Sequence, residues 1–219
     1  MIRKRKRTSV ALTLIFVNVL LFLIAFPIVL FNPGLMKYLA ITPSLIIQGQ
    51  ALWTFLTSMF MHGGLFHLFA NMISLMFLGG FLEKLIGQKR FLGLYFASGL
   101  IGALLFVVLA LMFGGPGNSI VGDPAIGAVG ASAAIFGLAG MLAILTPRLS
   151  VYIMFIPIAM PMWFGVILIM FGLWGISAGA GLPVGNTAHL GGLLTGVTYA
   201  LYLKYKYKRK TDMISNHYR

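Results

Sequence analysis

Six apolar runs, broken by polar, glycine or proline residues, divide this chain: about 9–31, 65–82, 91–113, 131–146, 151–174 and 187–204. Each is read as a membrane-spanning helix. The fourth is short, because a helix crossing a bilayer usually needs about 20 residues. A Gly/Pro-rich stretch, Gly114 to Gly130, precedes it and can dip into the membrane. Irregular backbone is tolerated at that depth only inside protein or beside a water-filled cavity. The predicted fold class is an all-α membrane protein with six transmembrane helices.

Composition supports that reading. Of 219 residues, 60% are hydrophobic and 9% charged, with mean hydropathy +1.00. A soluble domain usually carries about 25% charged residues, so the bilayer is the expected solvent. There is no cysteine, which excludes disulfides, thiolate metal sites and a cysteine nucleophile.

The net charge of +13 first suggests nucleic acid, but its placement argues against that partner. Arg3 to Arg7 precede the first run, and Lys204, Lys206, Lys208, Arg209 and Lys210 follow the last. Such clusters orient a chain and face anionic headgroups. With six spans, every Lys and Arg except Lys37 falls on one side. The positive-inside rule therefore puts both termini in the cytoplasm, with the cell membrane as the expected location. The first run is longer than a signal-peptide core and no small-x-small site follows it, so it is read as a retained span.

The first outer loop, Asn32 to Gly64, carries Tyr38, Trp53, Phe55 and several aliphatics. It is expected to lie in the membrane interface. No repeat appears. The organisation read here is a basic cytoplasmic N-terminus (1–8), one membrane domain (9–206) and a basic cytoplasmic tail (207–219).

Polar residues inside spans are few, and each is a functional candidate. His67 and Asn71, four apart, share one helix face in the second span. Alone they equally suit hydrogen bonds that hold the bundle together. Ser132 opens the fourth span among small residues, where a packing serine is the ordinary reading. His189 shares a face with Gly192 and Gly196, a small-xxx-small surface that lets another backbone approach. If the fourth span is the partner, Ser132 can meet His189.

For a protease acting within the membrane, composition tests three chemistries. A His-Glu-x-x-His metal site is absent, because the one glutamate, Glu83, lies between Leu82 and Lys84. A two-aspartate mechanism fails because Asp123 and Asp212 fall on opposite sides. Serine remains. Asp123 is a poor triad member, nine residues before Ser132 across a Gly/Pro turn. A dyad is expected, with Ser132 as nucleophile and His189 as general base and acid. The Ser132 backbone N–H, His67 and Asn71 are candidate oxyanion donors. No metal or other cofactor is expected.

These residues resemble the rhomboid family of intramembrane serine proteases over about residues 40–200. His62-Gly63-Gly64-Leu65-Phe66-His67-Leu68-Phe69-Ala70-Asn71 resembles the family's His-x₄-His-x₃-Asn segment. Gly79-Gly80-Phe81-Leu82-Glu83-Lys84 resembles its exit from the second span. Gly130-Ala131-Ser132 matches Gly-x-Ser, and Ala188-His189-Leu190-Gly191-Gly192 resembles Ala-His-x-x-Gly. The resemblance implies a six-helix rhomboid-like bundle whose short fourth helix lies below a water-filled cavity open to the outside. It implies a dyad at Ser132 and His189, oxyanion positions at His67 and Asn71, and single-span membrane proteins as substrates, cut near a readily unwound helix end.

Three departures bear on rate. Trp53-Thr54 stands where the family often has Trp-Arg. Ala133 replaces a common glycine, a methyl expected to narrow the oxyanion site. Phe136 replaces a common tyrosine; it can stack on His189 but cannot donate a hydrogen bond. Two alternatives stay open: a weak or inactive rhomboid-like binding factor, and a small transporter lined by His67, Asn71 and His189. The glycine-rich segment Ser177–Gly185 is read as a mobile loop able to act as a lid.

Overall fold

The computed structural model describes residues 8–153, 156–182 and 184–218. The basic run Arg3–Arg7 lies outside them, as do Pro183 in the expected lid and Met154 and Phe155 in the expected fifth span. Helix α1 (Val10–Phe31) begins at Ser9, whose hydroxyl accepts from Leu12 N. Its first turn also rests on Glu83 from a distant helix. That carboxylate accepts from Ser9 Oγ at 2.7 Å, and from Val10 N and Ala11 N at 2.9 Å each. The anion thus satisfies amides that a helix start leaves open.

The segment between α1 and α4, expected to be the first outer loop, folds into short turns, among them α2 (Pro43–Ile46) and α3 (Thr54–Thr57). Helix α4 (Leu65–Ser74) continues through a π-helical turn, Leu75–Gly79, into α5 (Gly80–Ile86). Then come α6 (Gln88–Phe113), α7 (Ser132–Leu145), a hairpin of β1 (Ser150–Ile153) and β2 (Ile156–Pro161), α8 (Met162–Ala180), α9 (Asn186–Lys206) and α10 (Lys208–His217).

Among the described residues, four helices are long and apolar enough to cross a membrane: Val10–Phe31, Leu65–Ile86, Gln88–Phe113 and Met162–Ala180. Their exposed faces are apolar, as at Phe16, Leu23, Met112 and Phe171. The chain is a multi-pass membrane protein built as a helical bundle. Two expected spans do not meet that length-and-hydropathy standard. Helix α7 has 14 residues, about 21 Å against a hydrocarbon core of about 30 Å. Helix α9 has length, but its apolarity is diluted by Asn186, Thr187, His189, Thr195, Lys204 and Lys206.

The bundle centres on α7, which is buried almost throughout and packs against α9 and α6. Contact is backbone to backbone. A methyl added at Gly192 would land on the Ala133 carbonyl, and one at Gly196 on the Gly137 carbonyl. From α6, Gly102 faces Ala188 O and Ala133 Cβ, while Ser98 covers Gly137. The face predicted around His189 does meet the fourth span. The part of α6 in that contact was not anticipated.

The expected fifth span, 151–174, is displaced. Residues 151–153 and 156–161 of it lie in the antiparallel hairpin, which pairs Ser150 with Pro161 and Val151 with Met160. The helix starts only at Met162 and runs to Ala180. Pro157 and Pro161 forbid an earlier start, since proline lacks a donor and biases the preceding residue toward extended backbone. Val151, Tyr152, Ile153 and Ile158 suit a strand. The expected lid shrinks accordingly. Ser177–Ala180 are helical, and Ser177 is fully buried. The basic tail also has structure: α10 packs beneath α7 and α9, with Tyr218 edge-on to Phe81 at 5.2 Å.

A single substitution made at two glycines reads this packing. Gly196→Ala places a methyl on backbone that cannot yield. It should cost about 1–3 kcal/mol, measured by thermal unfolding in detergent. Gly172→Ala, with nothing within 4 Å of the added methyl, should be neutral or slightly stabilising.

Candidate active site

Ser132 is the first residue of α7, and the turn before it depends on Gly130. Gly130 has φ +126°, a conformation that side chains rarely adopt. Its amide donates to Ser58 O at 2.8 Å, and two bonds between Ile41 and Ala128 fix the preceding segment to the outer loop. His189 lies in the first turn of α9, its amide bonded to Gly185 O. With α7 and α9 in glycine contact, Ser132 Oγ and His189 Nε2 come to 2.7 Å. When Nδ1 carries the ring proton, the hydroxyl donates to Nε2.

Phe136, one turn after Ser132, stacks on the His189 ring at 4.7 Å and 24°. The other ring nitrogen, Nδ1, is buried and has no partner among the described residues. The imidazole is therefore oriented by packing. Asp123 is engaged elsewhere: its exposed carboxylate accepts from Gly117 N at 2.9 Å and Ala125 N at 2.8 Å. Those two donors hold it below the usual carboxylate range. The geometry is a serine–histidine pair with no acid on the histidine.

The other expected site residues divide. The His67 ring lies against Gly130: a methyl on Gly130 would sit 2.8 Å from His67 Nε2 and Cε1. His67 also meets His62 edge-on at 5.2 Å, so it flanks the turn that presents Ser132. Asn71 is buried, but its amide donates to its own helix at His67 O, 2.9 Å away. Ala133 is buried, and its methyl lies toward Gly102 in the α6–α7 seam. Thr54 is buried and donates to Ala51 O, while Trp53 Nε1 donates to Tyr38 O across the outer loop.

A clasp around the Ser119–Val121 carbonyls escaped the sequence reading. Ser177 Oγ donates to Ser119 O at 2.6 Å, and Trp174 Nε1 to Ile120 O at 3.1 Å. Thr187 Oγ1 donates to Val121 O at 3.1 Å, with Asn186 Nδ2 reaching Ser119 O at 3.4 Å. The C-terminal end of α8 and the start of α9 are thereby tied to the loop leading to Ser132. Polar residues at span ends are too common to have marked this in advance.

Glycine-packed membrane helices that set a serine hydroxyl against a histidine, without an acid, define a membrane-embedded Ser–His protein. Comparison with known proteins agrees. A family model described as the Rhomboid domain matches residues 49–206. RHOMBOID-like protein 5 of Arabidopsis thaliana is 34% identical over 178 residues, covering 80% of this chain and 52% of the relative. Rhomboid-like protease 1 of Toxoplasma gondii is 32% identical over 163 residues, 73% of this chain and 49% of that protein. Inactive RHOMBOID-like protein 8 of Arabidopsis thaliana is 34% identical over 108 residues, 49% of this chain and 27% of that protein. The chain belongs to the rhomboid family. It spans about half, or less, of the length of these relatives.

Two variants separate the parts of the site, read by labelling of Ser132 with a fluorophosphonate. Asp123→Asn should label at the wild-type rate, with an unchanged pH profile between about pH 5 and 8. A depressed carboxylate contributes above its unfolded value, about 3.9, and loses that contribution only as pH falls through its lower folded value. Gly130→Ala should label far more slowly, because it strains the turn and strikes His67.

Proposed function

We propose that the protein is an intramembrane serine endopeptidase that hydrolyses peptide bonds in or near the membrane segments of other proteins. The observation carrying this reading is the 2.7 Å contact between Ser132 Oγ and His189 Nε2 within a rhomboid-family bundle. In this reaction Ser132 Oγ attacks the scissile carbonyl carbon while His189 Nε2 takes the hydroxyl proton. The C–N bond breaks as His189 returns that proton to the leaving amine. Water then attacks the acyl ester with His189 again as base, releasing the acid and free serine.

The developing oxyanion is assigned to the Ser132 N–H, His67 and Asn71. His67 already flanks the Ser132 turn. Asn71 serves by exchanging its bond to His67 O for one to the oxyanion. Substrates are single-span membrane proteins, entering as locally unwound chain, because a helical amide is hydrogen-bonded and shielded. Phe136, Gly130, Gly192 and Gly196 support the pair by stacking, turn geometry and close packing. In the membrane arrangement that goes with this reading, six segments cross or enter the bilayer. The first outer loop lies in the interface, and both termini are in the cytoplasm of a cell-membrane protein. The units are 1–8, 9–206 and 207–219.

Ser132→Ala and His189→Ala should each abolish cleavage of a single-span substrate in liposomes, with folding intact. Asn71→Ala should lower kcat about 10²–10³-fold with little change in KM. Cleavage that survives Ser132→Ala would overturn Ser132 as the nucleophile, whereas a folded wild type that cleaves nothing would leave the binding-factor reading, suggested by the relative whose printed name is inactive, as the better account. Topology is open to a simple check because the chain has no cysteine. In intact cells, Asn118→Cys should react with an impermeant maleimide, and Met213→Cys only after permeabilisation.

A further inference from the structure

The start of α6 and the end of α9 meet at the basic face of the bundle, around Tyr207. The Arg90 guanidinium lies 5.3 Å from the Tyr207 ring centroid, and Lys206 Nζ lies 5.7 Å from the same ring. Lys206 is also held by Tyr202, whose hydroxyl accepts from Nζ at 3.1 Å. Two cations thus share one aromatic ring, and the repulsion between them is smaller than the support Lys206 draws from Tyr202 and Tyr207. Among the described residues neither is paired with a carboxylate. Glu83 is enclosed by Ser9, Val10, Ala11 and Gln88, and Asp212 forms no ion pair among the described residues.

The local field is more positive still. The first turn of α6 contains no acid and carries Lys89 beside Arg90, at the end where the helix dipole is itself positive. An anion is the missing partner. What lies alongside says which anion: Leu92, Leu201 and Tyr202 are exposed, and Tyr205 is 90% exposed. Tyrosines and leucines placed so suit the boundary between headgroups and acyl chains.

We infer that Arg90, Lys206 and Tyr207 form a site for the phosphate of an anionic phospholipid, its acyl chains lying along the exposed ends of α6 and α9. The bound headgroup offsets the Arg90–Lys206 repulsion and ties two helices of the central packing together. Lys206 lies at the far end of α9 from His189, and the site does not depend on the peptidase reading.

The test uses the full chain in phosphatidylcholine nanodiscs, titrated with phosphatidylglycerol and read by native mass spectrometry for retained lipid. Wild type should retain phosphatidylglycerol. Arg90→Gln with Lys206→Gln should weaken it about 100-fold, and Lys206→Gln alone about 10-fold, because each removes a charge-assisted hydrogen bond to the phosphate. Lys208→Gln with Arg209→Gln removes the same charge nearby and should change binding less than about 3-fold. Circular dichroism and thermal unfolding report that each variant is folded. Equal losses in the two double variants would reduce the effect to diffuse charge and sink the site. No retention by wild type would do the same. Displacement of the lipid by inorganic phosphate at tens of millimolar would overturn the lipid assignment.

Discussion

Everything at the candidate site depends on how closely α9 lies on α7. In a bilayer the hydrophobic effect does little to drive one helix onto another, so contact geometry must do more. Here Gly192 and Gly196 present no side chain where Ala133 and Gly137 present their carbonyls. The two backbones meet, and the first turns of both helices converge. A 2.7 Å contact between side chains 57 residues apart follows from that approach.

The histidine of this pair is held without an acid. Its ring lies on Phe136 and its second nitrogen has no partner among the described residues. Orientation therefore comes from shape. A stacked ring in a close-packed seam has few alternatives, whereas a hydrogen-bonded carboxylate would bring a second buried charge that must itself be solvated. A phenylalanine at position 136 fits this logic, because stacking needs only the ring face.

Around the pair, the irregular segments carry more order than their composition suggests. The loop before Ser132 is held by Ser58 and Ile41 on one side. Trp174, Ser177, Asn186 and Thr187 hold it on the other. Backbone carbonyls within or beside a membrane need donors, and side chains at the helix ends supply them. At the opposite end of the bundle, Glu83 does the converse by accepting from the amides that open α1. Non-helical backbone thus survives here because each end of the bundle brings its own polar partners.

The sequence by itself determined the membrane class, because few charges and long apolar runs leave no soluble alternative. It also determined the chemical cast. With three acids and no cysteine, Ser132 and His189 were what remained, and the glycines on the histidine's face indicated a close neighbour. It misplaced the fifth span, because a continuous apolar run does not distinguish strand from helix until its prolines are weighed. Only the tertiary structure decided which helix that neighbour was and that α6 completes the seam through Gly102. It also turned the methyl of Ala133 into that seam and brought three loop carbonyls under the ends of α8 and α9. Those are facts of distance between segments far apart in the chain. Periodicity reports which face of a helix is small or polar, and the packing of whole helices determines what that face meets.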